Sequence, residues 1–260
     1  ALAVAKNFAV HGESQAEVGS DFIKGGNGDD VIGGEALAIA KNGIAAAVSV
    51  NKADGSWDHH KGKQGGDAGN DTIYGDGGEG SSGHDSIGGD ATAMGEFAVA
   101  KAYNDADDEK SDAGNDKIRA GHGDDVVAGD ALAISGGWWA LAKAHNTATD
   151  EAEAGNDDID LGGGNNIFSG DALSLENAEL PEDPEEDLPD EIEDSIEASA
   201  YAFNTADEGG EAGNDSIVSG SGNDLGAGDA AEISYFGNAH AHVENDADGH
   251  GSDAGNDTIF

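Results

Sequence analysis

The feature that most restricts the fold is a glycine-aspartate turn that the chain repeats. Its best preserved copy is Asp112-Ala113-Gly114-Asn115-Asp116-Lys117-Ile118, followed by Gly121-His122-Gly123-Asp124-Asp125-Val126-Val127 and Gly129-Asp130-Ala131. Asp116 and Asp125 lie nine residues apart, as do Ile118 and Val127. Glycine allows a tight turn at positive φ, aspartate reaches back over it, and the apolar residue points inward from a short strand. The motif [Asp/Glu]-x-Gly-x-Asp-x-Ile recurs six times, centred on Asp21, Asp71, Asp116, Asp157, Asp215 and Asp257, at spacings of 50, 45, 41, 58 and 42 residues. Variable spacing on a constant motif is the mark of loops growing on a fixed frame.

A second glycine turn follows each complete first turn and ends at Asp30, Asp85, Asp125, Asn166 or Asp224. Its inward residue is Ile32, Ile87, Val127 or Phe168; Gly226 stands there in the fifth copy, a weak point. A Gly-[Asp/Glu]-Ala corner comes next, at Glu35, Asp90, Asp130, Asp171 and Asp229. An alternating strand such as Ala131-Leu132-Ala133-Ile134 then leads to a returning strand of pattern Ala-x-Ala-x-Ala-x-Asn-x-Ala. Asn51, Asn104, Asn146, Asn204 and Asn245 share one place in it, and counting back from Asp21 puts Ala9 there in the first copy. Period-two alternation predicts strands, against the helix propensity of alanine. The short links Asn42-Gly43, Gly95-Glu96 and Gly136-Gly137 predict hairpins. Residues 176–197 are acidic and hold Pro181, Pro184 and Pro189, which predicts a loop grown from a hairpin tip.

No single copy can bury its apolar face, but stacked copies can. The expected fold is all-β: a right-handed parallel β-solenoid, a β-roll with enlarged coils and side hairpins. An 18-residue coil carrying a side hairpin is the other arrangement considered. Stacking predicts ladders of Ile, Ala and Asn. Strands apolar on both faces, such as Ala131–Ile134, require a second covering layer, either the chain's own hairpins or a neighbouring molecule. The whole chain, 1–260, is expected to be one array with repeats near 1–35, 36–90, 91–130, 131–171, 172–229 and 230–260. Because it starts and stops within a repeat, it is expected to be a fragment of a longer array.

Charge narrows the partners. Eleven Lys+Arg face 55 Asp+Glu, a formal charge of -44, which excludes binding to nucleic acid or an anionic membrane. No run of about 18–20 apolar residues offers a membrane span. Such a chain is either disordered or neutralised by cations. With no cysteine, thiolate-zinc sites are excluded, and an all-oxygen inventory of carboxylates and turn carbonyls favours Ca²⁺ over Mg²⁺. The metal candidates are Asp21, Asp30, Asp71, Asp85, Asp116, Asp125, Asp157, Asn166, Asp215, Asp224 and Asp257. The corner residues Asp90, Asp130, Asp171 and Asp229 fit calcium and Asx-turns equally.

Gly25-Gly26-Asn27-Gly28-Asp29-Asp30-Val31-Ile32-Gly33 resembles the RTX nonapeptide, G-G-x-G-x-D-x-U-x, at every defined position, and Ala120–Ala128 resembles it with one change. The Ala-Gly-Asn-Asp-x-Ile copies resemble its second half, with an acidic residue and Ala in place of the double glycine. The resemblance implies Ca²⁺ held between adjacent coils, export in an unfolded state by type I secretion, and folding in calcium outside the cell. It does not cover the alanine-rich strands.

The remaining signals are weaker. His59-His60 and His240-x-His242 have no matching partner set and read as surface histidines. Trp138-Trp139 and Tyr235-Phe236 read as a cap over apolar strands, with a contact patch as the alternative. No catalytic motif is present. The expected function is a non-enzymatic, calcium-binding structural or adhesive protein, extracellular, secreted or at a bacterial cell surface. Self-association into a filament or layer, or contact with a cell surface or matrix, completes that reading. The alternatives are the folding module of an RTX enzyme and an ice- or surface-binding solenoid. Against the last, the outward positions Thr72, Lys117, Asp158, Ser216 and Thr258 are too mixed for a regular threonine ladder.

Overall fold

The computed structural model describes residues 1–9, 16–40, 43–54, 56–58, 62–64, 66–76, 83–107, 109–176, 197–234 and 238–260. His59-His60, Tyr235-Phe236, Asn42 and most of the acidic proline segment lie outside the described residues, as does the side chain of Trp138. Among the described residues there are strands and turns and no helix. One coil shows the plan: Asp112–Ala113, Lys117–Arg119 and Val126–Ala128 are short strands between glycine turns, and Ala131–Ala148 is a long one. Equivalent strands of successive coils pair in parallel, giving one sheet for each. The register runs Ile73, Ile118, Ile159, Ile217 in one sheet and Asn104, Asn146, Asn204 in another. The repeat is therefore an enlarged coil of a parallel β-solenoid, and every predicted ladder is continuous.

The predicted hairpins are not hairpins in the hydrogen-bonding sense. Ala91–Asp107 pairs along nearly its whole length with Ala131–Ala148 of the next coil, and both limbs run parallel to their counterparts. Yet the chain does reverse. Asn104 Nδ2 lies 2.9 Å from Asp90 Oδ2, so the strand that leaves Asp90 returns to it. The reversal falls where the register shifts, between Gly95 and Phe97. The two limbs meet through alanine side chains: Ala91 and Ala93 on one, Ala98, Ala100 and Ala102 on the other, all fully buried in one cluster. Small side chains let the limbs approach closely, which is why alanine fills the inward positions. A hairpin would have used the same hydrogen-bonding groups within a coil and left none to join the coils. The Ser56–Asp58 and Gly62–Gln64 pair is antiparallel, within the insertion before Gly66.

The covering layer over the two-faced strands is the chain itself. Leu132 and Leu173 are fully buried against Ala128, with Val126 and Ile167 beside them. The second-turn strand thus covers one face of the outgoing limb and the returning limb covers the other. Between the two turn sheets lies a separate ladder of Ile73, Ile118, Ile159 and Ile217 with Ile87, Val127 and Phe168. Phe168 also resolves the weak point: a β-carbon on Gly226, its register partner, would sit 2.6 Å from the Phe168 ring. The larger side chain of one coil fills the space left by glycine in the next.

At the corner an Asn–Asp zipper joins the arm to the turns. Asn104 Nδ2 donates to Asp90 Oδ2, to Asp130 Oδ1 at 2.8 Å and to Asn146 Oδ1 at 3.1 Å. Asn146 repeats this with Asp130, Asp171 and Asn204, and Asn204 with Asp171, Asp229 and Asn245. Gly114, at φ 64°, lies under the Asn104 amide, where a β-carbon would come within 2.4 Å of its three outer atoms. The first copy corrects the sequence reading. Asn7, not Ala9, stands opposite Asn51 and donates to it at 3.2 Å, and its amide also reaches Glu35. The link from Asn7 to Asp21 is two residues longer than that from Asn104 to Asp116, so counting back missed it. Asn146→Ala is expected to destabilise the fold by about 3 kcal/mol, since buried carboxylate oxygens lose their donors. Urea unfolding in calcium checks this, with Thr147→Ala expected within about 0.5 kcal/mol of the parent.

Candidate metal centre

Each first-turn aspartate is tied to its neighbour by one oxygen. Asp116 Oδ1 accepts the Asp71 backbone N–H at 2.7 Å, Asp157 Oδ1 that of Asp116 at 2.7 Å, and Asp215 Oδ1 that of Asp157 at 2.8 Å. Asp71 accepts from Asp21, and Asp257 from Asp215. The asparagines beside them run the opposite way, Asn115 Oδ1 accepting from Asn156 N–H at 2.9 Å. The second turn follows the same rule: Asp85 accepts from Asp30, Asp125 from Asp85, Asn166 from Asp125 and Asp224 from Asn166.

The other oxygen is where the chemistry lies. Oδ2 of Asp71, Asp116, Asp157 and Asp215, and of Asp30, Asp85 and Asp125, is buried with no hydrogen-bond partner. At Asn166 the amide removes the problem, because its Nδ2 donates to Asp224 Oδ1 at 3.0 Å. Asp116 is only 2% exposed, and no Lys, Arg or His is buried among the described residues. Burial pushes the Asp71 carboxyl up to about 8 and that of Asp125 up to about 6. Asp116, Asp157 and Asp215 are raised well above the usual carboxylate range, by burial first and by neighbouring carboxylates second.

Six of these seven oxygens, all but that of Asp125, lie beside a backbone carbonyl oxygen at a glycine. A β-carbon on Gly75 would sit 2.3 Å from Asp85 Oδ2 and 2.6 Å from the Ala120 carbonyl oxygen. On Gly89 it would sit 2.0 Å from Asp116 Oδ2 and 1.9 Å from the Gly129 carbonyl oxygen. Among the described residues no three acidic or histidine side chains converge on one point. An ion here would take a carboxylate oxygen and a backbone carbonyl oxygen, hard ligands of the kind Ca²⁺ prefers, so the residues fit the metal.

The model of the family described as RTX calcium-binding nonapeptide repeat (4 copies) matches residues 15–36, 66–79, 110–131, 151–172 and 210–230. The chain carries RTX calcium-binding nonapeptide repeats. No curated protein and no solved structure matches it. The RTX segments lie on the glycine turns and do not extend into the alanine arms beyond their first residue. No helix among the described residues is long and apolar enough to cross a membrane.

The structure brings the first- and second-turn aspartates of adjacent coils together but treats the corner aspartates differently. Both oxygens of Asp90, Asp130, Asp171 and Asp229 accept from asparagine amides. Sequence reasoning missed the corner glycines as oxygen donors, although Gly34, Gly89, Gly129, Gly170 and Gly228 precede the acidic residue in every copy. It also missed Asp76, whose Oδ1 is buried and unpartnered while Oδ2 accepts the His122 N–H at 2.7 Å.

The pKa directions set a pH dependence for the metal-free chain. An acid whose folded pKa exceeds its unfolded one stabilises the fold fully below the unfolded value and loses that contribution as pH rises through the folded value. For Asp71 this window runs from 3.8 to about 8. The metal-free chain is expected to gain β structure as pH falls from about 8 to about 4, with calcium restoring it at the upper end. Far-ultraviolet circular dichroism after exhaustive chelation checks this; a metal-free spectrum equally folded at both ends contradicts it.

Proposed function

We propose that this chain is a calcium-loaded structural or adhesive solenoid that works outside the cell, with Ca²⁺ bridging adjacent coils and driving folding. The observation that carries the reading is the coil-by-coil series of buried, unpartnered carboxylate oxygens facing backbone carbonyls. The proposed ligands are Asp71, Asp116, Asp157 and Asp215 in the first turns and Asp30, Asp85 and Asp125 in the second. Asp21 and Asp257 complete the first-turn series at its ends. Asn166 and Asp224 are proposed as weaker positions, because the amide pairs them directly. The corner aspartates are assigned to the asparagine zipper.

Folding by calcium follows from linkage: an ion that binds only the native chain stabilises it by RT ln(1 + [L]/Kd). A chain that folds only in abundant calcium suits secretion in an unfolded state. The contact surface is proposed on the outward face of the arm. There Tyr103, His145 and Phe203 stack at ring separations of 6.2 and 5.9 Å, and Phe203 meets His242 at 5.8 Å. Lys143 lies 4.6 Å over the Phe203 ring. An extended aromatic ladder of this kind supports adhesion or self-association, and the reading assigns the chain no catalysis.

Removing calcium with EGTA at neutral pH is expected to abolish the β signal and to expand the chain towards a radius of gyration of about 56 Å, the value for an unfolded chain of this length. Circular dichroism with small-angle scattering measures both. An unchanged spectrum and radius would overturn the proposal.

A further inference from the structure

We infer that the outward face of the returning limbs binds a neutral, β-linked polysaccharide laid along the solenoid axis, one sugar unit to each coil. This names the partner of the contact surface proposed above and rests on that reading.

Two columns run side by side on this face. One is of rings, Tyr103, His145 and Phe203, in register from coil to coil. The other is of hydrogen-bonding groups, Lys52, Asp105, Thr147 and Thr205, two residues further along the returning strands. Residues two apart on a strand share a face, so the coils of Tyr103, His145 and Phe203 each set a ring beside a polar group. Successive coils lie about 4.7–4.9 Å apart, close to the length of an equatorially linked pyranose unit. A sugar has an apolar C–H face and a rim of hydroxyls, and an extended chain repeats both at that interval. Lys52, Tyr103, Asp105, His145 and Thr147, with Val50 beside them, line a groove of about 340 Å³, within the ~300–1,000 Å³ of small-molecule sites.

The polar groups of the groove are open to a ligand. Among the described residues no hydrogen bond joins the Tyr103 hydroxyl, the His145 ring nitrogens or the Thr147 hydroxyl to the chain. Lys52 Nζ donates to Asp105 Oδ2 at 2.8 Å, which holds that carboxylate at the groove wall as an acceptor for sugar hydroxyls. Burial, and then the neighbouring Lys143, lower the His145 pKa, so its imidazole is neutral at pH 7 and can both donate and accept. Charge selects a neutral chain over an anionic one. Lys52 is engaged by Asp105 and Lys143 by the Phe203 ring, and the protein carries -44. A polysaccharide is favoured over a protein partner because Lys52 and Asp105 stand inside the groove, and charged residues are depleted at the core of protein interfaces. Asn104, Asn146 and Asn204 lie between the two columns and point inward into the zipper, which fixes the strands behind the groove. Little order is then lost on binding.

Isothermal titration of the calcium-loaded chain with cellohexaose and chitohexaose tests this, with a hyaluronan hexasaccharide as the anionic comparison. At least one neutral hexasaccharide is expected to bind, and more tightly than the anionic one. Tyr103→Ala, which removes a ring, is expected to weaken binding about tenfold. Thr147→Ala, expected above to leave stability unchanged, should weaken it about fivefold. Lys117→Ala, on a turn sheet, is expected to match the parent. Far-ultraviolet circular dichroism in calcium establishes that each variant is folded, and sedimentation velocity reads self-association. No binding of either neutral hexasaccharide, or binding that Tyr103→Ala leaves intact, overturns the polysaccharide. Tighter binding of the hyaluronan hexasaccharide overturns its neutral character. If no sugar binds but the chain self-associates and Tyr103→Ala breaks that association, the contact surface stands with a second copy as its partner. A chain that neither binds sugar nor self-associates overturns the contact surface as well.

Discussion

Burying carboxylates where no basic side chain reaches is the condition around which this solenoid is organised. The coils of Asp71 and Asp116 each take a first-turn, a second-turn and a corner acid out of water, and Asp116, Asp125 and Asp130 are each at most 2% exposed. A fully buried isoleucine contributes about 1.5–3 kcal/mol. A buried ion without a partner costs several kcal/mol even after relaxation. The one or two large apolar rungs of a coil, such as Ile118 and Val127, do not offset the carboxylates they share the coil with. The corner aspartates are satisfied by asparagine amides; the buried turn aspartates keep one oxygen unsatisfied. Protons can quench them at low pH, and a divalent cation can at neutral pH. The formal charge of -44 and the parallel fold are compatible only on those terms.

The alanine arm extends this logic. Its two limbs are joined by side chains alone, and their backbone groups all serve the neighbouring coils. Such an arm has little cohesion within one coil and depends on the stack. The asparagine zipper fixes its root by pairing each amide with two carboxylates and the next amide. Because every rung shares partners with the rungs above and below, the root is cooperative along the axis, and so is the loss of any one amide. The outward face of the same arm is left to carry aromatic and basic side chains, which separates contact from cohesion.

Much of this was legible in the residues. The Asp-to-Ile spacing, the corner motif and the asparagine register give the four strands of a coil and the order in which they stack. The calcium turns were legible because glycine and aspartate at fixed offsets leave few other roles. The reversal within Ala131–Ala148 was legible as a turn but not as a mode of pairing. Gly95-Glu96 reads the same whether the flanking strands bond to each other or to other coils. Asn7 was misplaced because a longer link precedes Asp21, and spacing alone does not reveal a link's length.

The sequence by itself determined that the chain stacks, that its strands alternate and that its turns gather oxygen. These are local matters of glycine conformation, period-two burial and repetition. Only the tertiary structure decided which oxygens meet. Asp116 and Gly129 are thirteen residues apart with two short strands and a turn between them, and their convergence depends on how sharply the chain bends. It also decided that the corner aspartates face asparagines rather than open space. Both are properties of distances across the coil, and those are set by the close approach that small alanine and glycine side chains permit.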